Sequence, residues 1–453
     1  MNDIVRESHP VSPSVLVRFG GENVRSFRDS FEVSLVATAV AEKEIVRTVA
    51  WRDGQTKSSQ IGILPAVGFF GANASGKSNL LRTLDDMRTI VLQSFRSWTN
   101  ENHTQRYPFR LDEASSARPS RFEIDIILDG VLHQYGFVLD DAQIISEWAN
   151  RFPKGRLQRI FERDAGTFEF GTAAASSTVK AAEVVRSNAL LLSTAVAFKG
   201  SDLQPLYDWF GRNLRLATAA NRDLRQVFTA KQLENEGRRD RILKLLRAAD
   251  LGVIGAEEID FDGFPEELRE KLEKVLAIIN EGSDSEVRLG DTPNLVALVH
   301  RGANGQAIRF SHDEESLGTA VWLGIAGPII DALDEGSVLL ADELDASLHP
   351  VLVEHMIRLF QDPETNPNRA QLLFNSHDAH LLGDASGDRT IGRDQVWFTE
   401  KDNDGATSVY PLSDLNPRRQ EAVAKRYLEG RYGAVPIIAP GDFESAVRLE
   451  PVN

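Results

Sequence analysis

Short runs of alternating apolar and polar residues fill the first part of the chain, and longer runs with a helical period follow. Val15–Phe19 and Phe31–Val36 are β-branched and aromatic runs flanking a polar turn, which predicts a strand pair. Arg121–Leu128 and Leu132–Leu139 alternate around Asp129-Gly130, a strong short hairpin signal. Further strand-like pieces lie at Ile144–Trp148 and Phe168–Phe170. Ile63–Phe70 is apolar and ends in a glycine-rich stretch, which predicts a buried strand with Pro65 near its start. From Ser78 the apolar positions Leu80, Leu81, Leu84, Met87, Val91 and Phe95 follow a helical period. Leu203–Ile279 reads as mainly helical and lacks sustained heptads. Strands resume at Asn294–His300, a helix follows Ser316, and Val338–Ala341, Gln371–Asn375 and Gln395–Thr399 read as further strands.

Composition narrows the function classes. The 453 residues suffice for two or three substructures. A formal charge of −16 argues against a surface that is basic all over but leaves room for a local basic patch. Trp209–Arg247 is such a patch, with ten Lys/Arg against four Asp/Glu. With no cysteine, disulfides, cysteine-ligated zinc and a cysteine nucleophile are excluded, and a cytoplasmic location is expected. No apolar run approaches the ~20 residues that span a bilayer, so no membrane role is expected.

The chemistry sits at the predicted strand ends. Gly71-Ala-Asn73-Ala-Ser-Gly76-Lys77-Ser78 satisfies G-x-x-x-x-G-K-[ST] between a strand and a helix. Backbone N–H groups of such a loop curl around phosphate oxygens at the positive end of the helix. Lys77 is expected to reach the β- and γ-phosphates and Ser78 to ligate Mg²⁺, with Asn73 and Asn79 beside them. Asp342 and Glu343 end an apolar strand; the first suits a Mg²⁺ contact and the second a general base for water. Well over half the chain separates Lys77 from Asp342, so a large segment is inserted between the two halves. Glu315-Ser316-Leu317-Gly318-Thr319 opens a helical stretch that contains Pro328. A serine hydroxyl, a close-approach glycine and a helix N-terminus together suit a γ-phosphate. Leu344–Pro350 follows the two acids, and His377 follows the strand ending at Asn375.

In this order and spacing the segments resemble ABC-type ATPase heads of the RecF and SMC kind. Ser316 and Gly318 fall on the signature, Leu344–Pro350 on the D-loop, and His377 on the switch histidine. Asn23-Val24-Arg25-Ser26-Phe27, Pro108–Leu111, Asn188–Ser193, Gln395–Phe398 and Tyr427–Pro436 resemble the bacterial RloA-like and AbiLi-like ATP-binding proteins, relatives of the AriA ATPase of the PARIS antiphage system. The resemblance implies an α/β P-loop head of two lobes, 14–200 and 291–440, around a mainly helical insertion at 201–290. It implies Mg²⁺-dependent ATP hydrolysis in a homodimer whose sites join one protomer's Walker residues to the other's Ser316 and Gly318. Arg25 is expected at the phosphates, and Gln105 is a candidate lid glutamine. The implied role is a sensor or scaffold subunit of an antiphage system that controls a separate nuclease or toxin. The alternative is a RecF-like DNA-repair ATPase, with 209–247 as the nucleic-acid or acidic-partner contact.

Overall fold

The computed structural model describes residues 14–51, 59–98, 103–172, 174–249, 252–259, 295–310, 314–383, 389–419 and 421–436, with Gly441, Ser445 and Val447. The predicted insertion between 260 and 290 lies outside the described residues.

The alternating runs form a seven-stranded antiparallel sheet, in the order Thr167–Phe170, Gln158–Asp164, Ile144–Phe152, Val131–Leu139, Ser120–Leu128, Ser14–Glu22, Phe31–Ser34. Asp129 and Gly130 take φ of 49° and 73°, the left-handed pair that a tight hairpin needs. The first strand is buried on both faces. Val15 and Val17 pack with Ile127 under the hairpin Arg47–Trp51/Ser59–Ile63. Leu16 and Phe19 join the cluster that holds Leu80, Leu84 and Met87 of the helix Lys77–Gln93. Buried Glu147 accepts the N–H groups of Leu191 and Leu192 and the Tyr135 hydroxyl, which anchors the Asn188–Ser193 stretch.

The second sheet has six strands, ordered Leu214–Ala217, Val338–Ala341, Gln371–Asn375, Ala66–Gly71, Val396–Lys401, Thr407–Pro411. All neighbours pair in parallel except the last two. The three central strands are buried along their whole length, as a sheet covered on both faces requires. Their C-terminal ends share one edge, where ligands of open parallel sheets bind.

The edge strand Leu214–Ala217 lies inside the stretch read as helical insertion, yet it belongs to this central sheet. Four residues carry no periodicity of their own, and the partner Val338–Ala341 is distant in sequence. Helices Arg222–Gln232 and Glu236–Ala248 follow, and then a three-stranded antiparallel sheet of Val253–Ile259, Leu295–Arg301 and Ala307–Phe310. In its described part the 201–290 segment is mostly helical, with the strands Leu214–Ala217 and Val253–Ile259 at either end of its helices Arg222–Gln232 and Glu236–Ala248.

Helix Leu317–Glu335 is long and apolar enough to cross a bilayer by length and composition, which the reading of the chain did not anticipate. Its apolarity has a local cause: residues from Thr319 to Leu333 pack almost continuously into the core, with helices Arg222–Gln232 and Glu236–Ala248 against it. Pro328 sits inside this helix, which continues to Glu335 and ends on the left-handed Gly336.

Candidate nucleotide site

The loop Gly71–Ser78 leaves the central sheet and turns into the helix Lys77–Gln93 through Gly76, whose φ is +109°. A Cβ there would lie 2.4 Å from the Thr407 hydroxyl, so conformation and space both require glycine. Thr407 braces the loop: its hydroxyl donates to the Ser75 carbonyl (2.9 Å) and lies 2.9 Å from the Ser26 hydroxyl, which accepts from Asn79 (3.0 Å). Lys77 Nζ donates to the carbonyls of Gly71 (2.8 Å) and Ala72 (2.9 Å). Burial pulls the Lys77 ammonium down to about 8, and the carboxylates of Asp345, Glu343 and Asp342 oppose that fall.

On the next strand over, Asn375 ties Ser78, Asp342 and Glu343 together. Its Nδ2 donates to Asp342 Oδ1 (2.5 Å) and reaches the Ser78 hydroxyl at 3.4 Å. Its Oδ1 accepts the backbone N–H of Glu343. Glu343 itself adopts φ +55°, a left-handed conformation that a non-glycine residue holds only when its surroundings enforce it. Asp345 Oδ2 accepts the N–H of His377 (2.9 Å), whereas Asp345 Oδ1 is buried without a hydrogen-bond partner. Burial, with Lys77 nearby, holds the His377 imidazole below its usual range, so it is neutral at pH 7.

Asn73–Asn79, Glu343, Asp345, Ala346, Asn375, His377 and Lys401 line one cleft of ≈ 780 Å³. The Ser78 hydroxyl and the Asp342 carboxylate, both within reach of Asn375 Nδ2, are oxygen donors of the kind Mg²⁺ prefers. Among the described residues no group of three His, Cys, Asp or Glu could hold a metal on its own.

Other predicted residues lie elsewhere. Ser316 caps the helix Leu317–Glu335 by accepting the Thr319 N–H (3.1 Å), and its residue is exposed. A Cβ on Gly318 would come within 2.9 Å of the Ser347 carbonyl in the D-loop. Neither residue lines the cleft of its own chain. Arg25 does not line it either. It is bound to Asp86 through Nε (2.5 Å) and Nη2 (2.6 Å) and lies over the Tyr107 ring. Within the chain its partner is Asp86, two turns along the helix. Gln105 is exposed and outside the cleft.

The basic segment is also engaged internally. Arg238 pairs with Asp331 (3.2 Å), Asp334 (3.5 Å) and Glu335 (3.5 Å), and Arg241 with Asp334 (2.6 Å). Arg239 and Arg247 donate to the carbonyls of Ala256 (2.9 Å) and Ile254 (2.5 Å). Three acids crowd the negative end of the helix Leu317–Glu335, and these arginines offset them.

Sequence reasoning passed over Asn375, Asp345 and Lys401. Asn375 carried a signal, a polar side chain closing a wholly apolar strand. Lys401 carried none.

The sequence model of the family described as "AAA domain, putative AbiEii toxin, Type IV TA system" matches residues 67–383. That is well over half of the chain, and the chain belongs to this family. No curated protein matches it significantly. Solved structures that resemble it include the SMC head domain from Thermotoga maritima, 12% identical over 87% of this chain and 98% of that one, TM-score 0.37. Another is an Smc head bound to the C-winged helix domain of ScpA, 11% identical over 88% and 99%, TM-score 0.40. A third is the recombination mediator RecF with ATP, 13% identical over 89% and 99%, TM-score 0.34. The assignment to an α/β P-loop ATPase head rests on the family match, the phosphate loop and the parallel sheet.

Proposed function

We propose that this member of the AAA-domain family binds ATP with Mg²⁺ in the cleft and hydrolyses it in a homodimer, each site completed by the partner copy's Ser316 and Gly318. The carrying observation is that Asn375 joins Ser78, Asp342 and Glu343 at the mouth of the phosphate loop. Lys77 and the loop N–H groups bind and orient the phosphates. Bound Mg²⁺ would neutralise phosphate charge, held by Ser78 and, through water, Asp342. Glu343, raised into the cleft by its left-handed backbone, takes the proton of the attacking water. His377, neutral and fixed through its N–H by Asp345, donates to the γ-phosphate and registers its loss. Ser316 and Gly318 do not line their own cleft, which supports their use in trans.

The biological reading is a cytoplasmic sensor or scaffold of a phage-defence system whose ATP state controls a separate toxin or nuclease. The family's description, a putative toxin of a type IV toxin–antitoxin system, supports the defence setting. A repair ATPase gripping DNA through 209–247 has less support, because Arg238 and Arg241 are taken up by acids of the same chain.

Mixing two inactive variants tests the shared site. Ser316→Asp keeps a helix-capping side chain but sets a carboxylate against the partner's γ-phosphate. Lys77→Ala empties the phosphate grip. Each should be inactive alone, and mixing them should restore hydrolysis through the one intact site per heterodimer. Parental turnover by Ser316→Asp alone would remove the signature from the site.

A further inference from the structure

Lys401 ends the strand Val396–Lys401, which runs parallel to the phosphate-loop strand with Thr399 opposite Gly71. Side chains two apart on a strand share a face. Thr399 marks that face, since its hydroxyl lies 2.6 Å from the Ser75 hydroxyl in the loop. Phe398, one step back, points the other way and stacks on Tyr427 and Tyr432. Lys401 therefore projects over the loop, and it lines the cleft with Asn73–Asn79 and His377. Its neighbour Glu400 accepts from the Tyr410 hydroxyl (3.2 Å). Among the described residues no carboxylate pairs with Lys401 itself.

An exposed lysine at a strand end is ordinarily a solvated charge. The register and the shared cleft set this one apart. We propose that Lys401 is a second phosphate-binding cation of the nucleotide cleft, gripping the nucleotide on the flank opposite the Walker B strand. His377 and Lys401 follow strands on either side of the loop strand, so the spacing of parallel strands separates them by about 10 Å. Ser78 and Asp342, joined through Asn375, and His377 lie toward the Walker B strand and in this reading take the γ-phosphate. Lys401 reaches the phosphates nearer the nucleoside, which ATP and ADP share, and so holds ground state and transition state alike. This rests on the nucleotide reading of the cleft.

The test is titration of the full chain with MgATP and with MgADP by calorimetry, for Lys401→Ala, Lys401→Arg and Lys77→Ala. Lys401→Ala should weaken both nucleotides about tenfold, the effect of one charge-assisted hydrogen bond. Arginine should restore most of the loss. KM for ATP should rise with little change in kcat, and affinity should depend less on salt. If Lys77→Ala abolishes binding while Lys401→Ala binds like the parent, Lys401 is only a surface charge. Loss confined to ATP with a fall in kcat would move it to the γ-phosphate and overturn the assigned flank. Parental binding by both alanine variants would overturn the nucleotide reading itself.

Discussion

The phosphate cleft and the signature face use similar residues and are wired in opposite ways. In the cleft Lys77 is tied to carbonyls of its own loop, while Asp342 and His377 are tied to distant segments through Asn375 and Asp345. At the signature face Ser316 bonds to Thr319 of its own helix, and Leu317 beside it is 54% exposed. The cleft is a preorganised framework whose lining residues are bonded to one another within one chain. Ser316 caps a helix N-terminus and does not line the cleft of its own chain. Preorganisation suits the phosphates, whose charge must be met without reorganisation. An outward face suits a role that depends on a second copy.

The sharpest way to break this contrast is Glu343→Gln. It should bind ATP normally and hydrolyse it ~10²–10⁴-fold more slowly, as expected for loss of a positioned base. Phosphate release measured under saturating ATP checks this, and a parental rate would take the base away from Glu343.

Asn375→Ala should come next. It severs the link among Ser78, Asp342 and Glu343 without removing any of them. Loss of such a supporting contact costs roughly 10–100-fold in metal affinity or activity. The readout is the Mg²⁺ concentration for half-maximal hydrolysis. If that concentration and the rate both stay parental, Asn375 merely terminates a strand.

The smallest effect sharpens the signature side. Arg238→Ala leaves Asp331, Asp334 and Glu335 together at the negative end of their helix, and should cost about 1–2 kcal/mol of stability. Thermal unfolding should fall by a few degrees while ATP affinity holds, because the cleft is wired separately. Weaker nucleic-acid binding at unchanged thermal stability would return the segment to a contact surface.

Much of the cleft was legible because its signals are local. The phosphate loop is eight consecutive residues whose glycines serve its own backbone geometry, and Gly76 at φ +109° shows that need directly. Val338–Ala341 was readable as a buried strand because a sheet covered on both faces asks for an unbroken apolar run. The Asp129-Gly130 hairpin was legible for the same local reason.

What stayed hidden depends on partners far apart in the chain. Leu214–Ala217 is a strand only because Val338–Ala341 lies beside it. Asn375 is a hub only because the sheet order brings Ser78 and Asp342 to it. Arg25 meets Asp86 and Tyr107 only through the fold, and Arg215, Arg238 and Arg241 meet their acidic partners only where the end of Leu317–Glu335 lies beside them. The sequence by itself determined the phosphate loop, the acid-terminated strand and the Ser316 helix cap, since each is specified by neighbouring residues and their backbone demands. Tertiary structure alone decided which charges are spent inside the protein and which, like Lys401, face the cleft. A charge's partner is set by distance in space, and strand register and helix packing fix that distance.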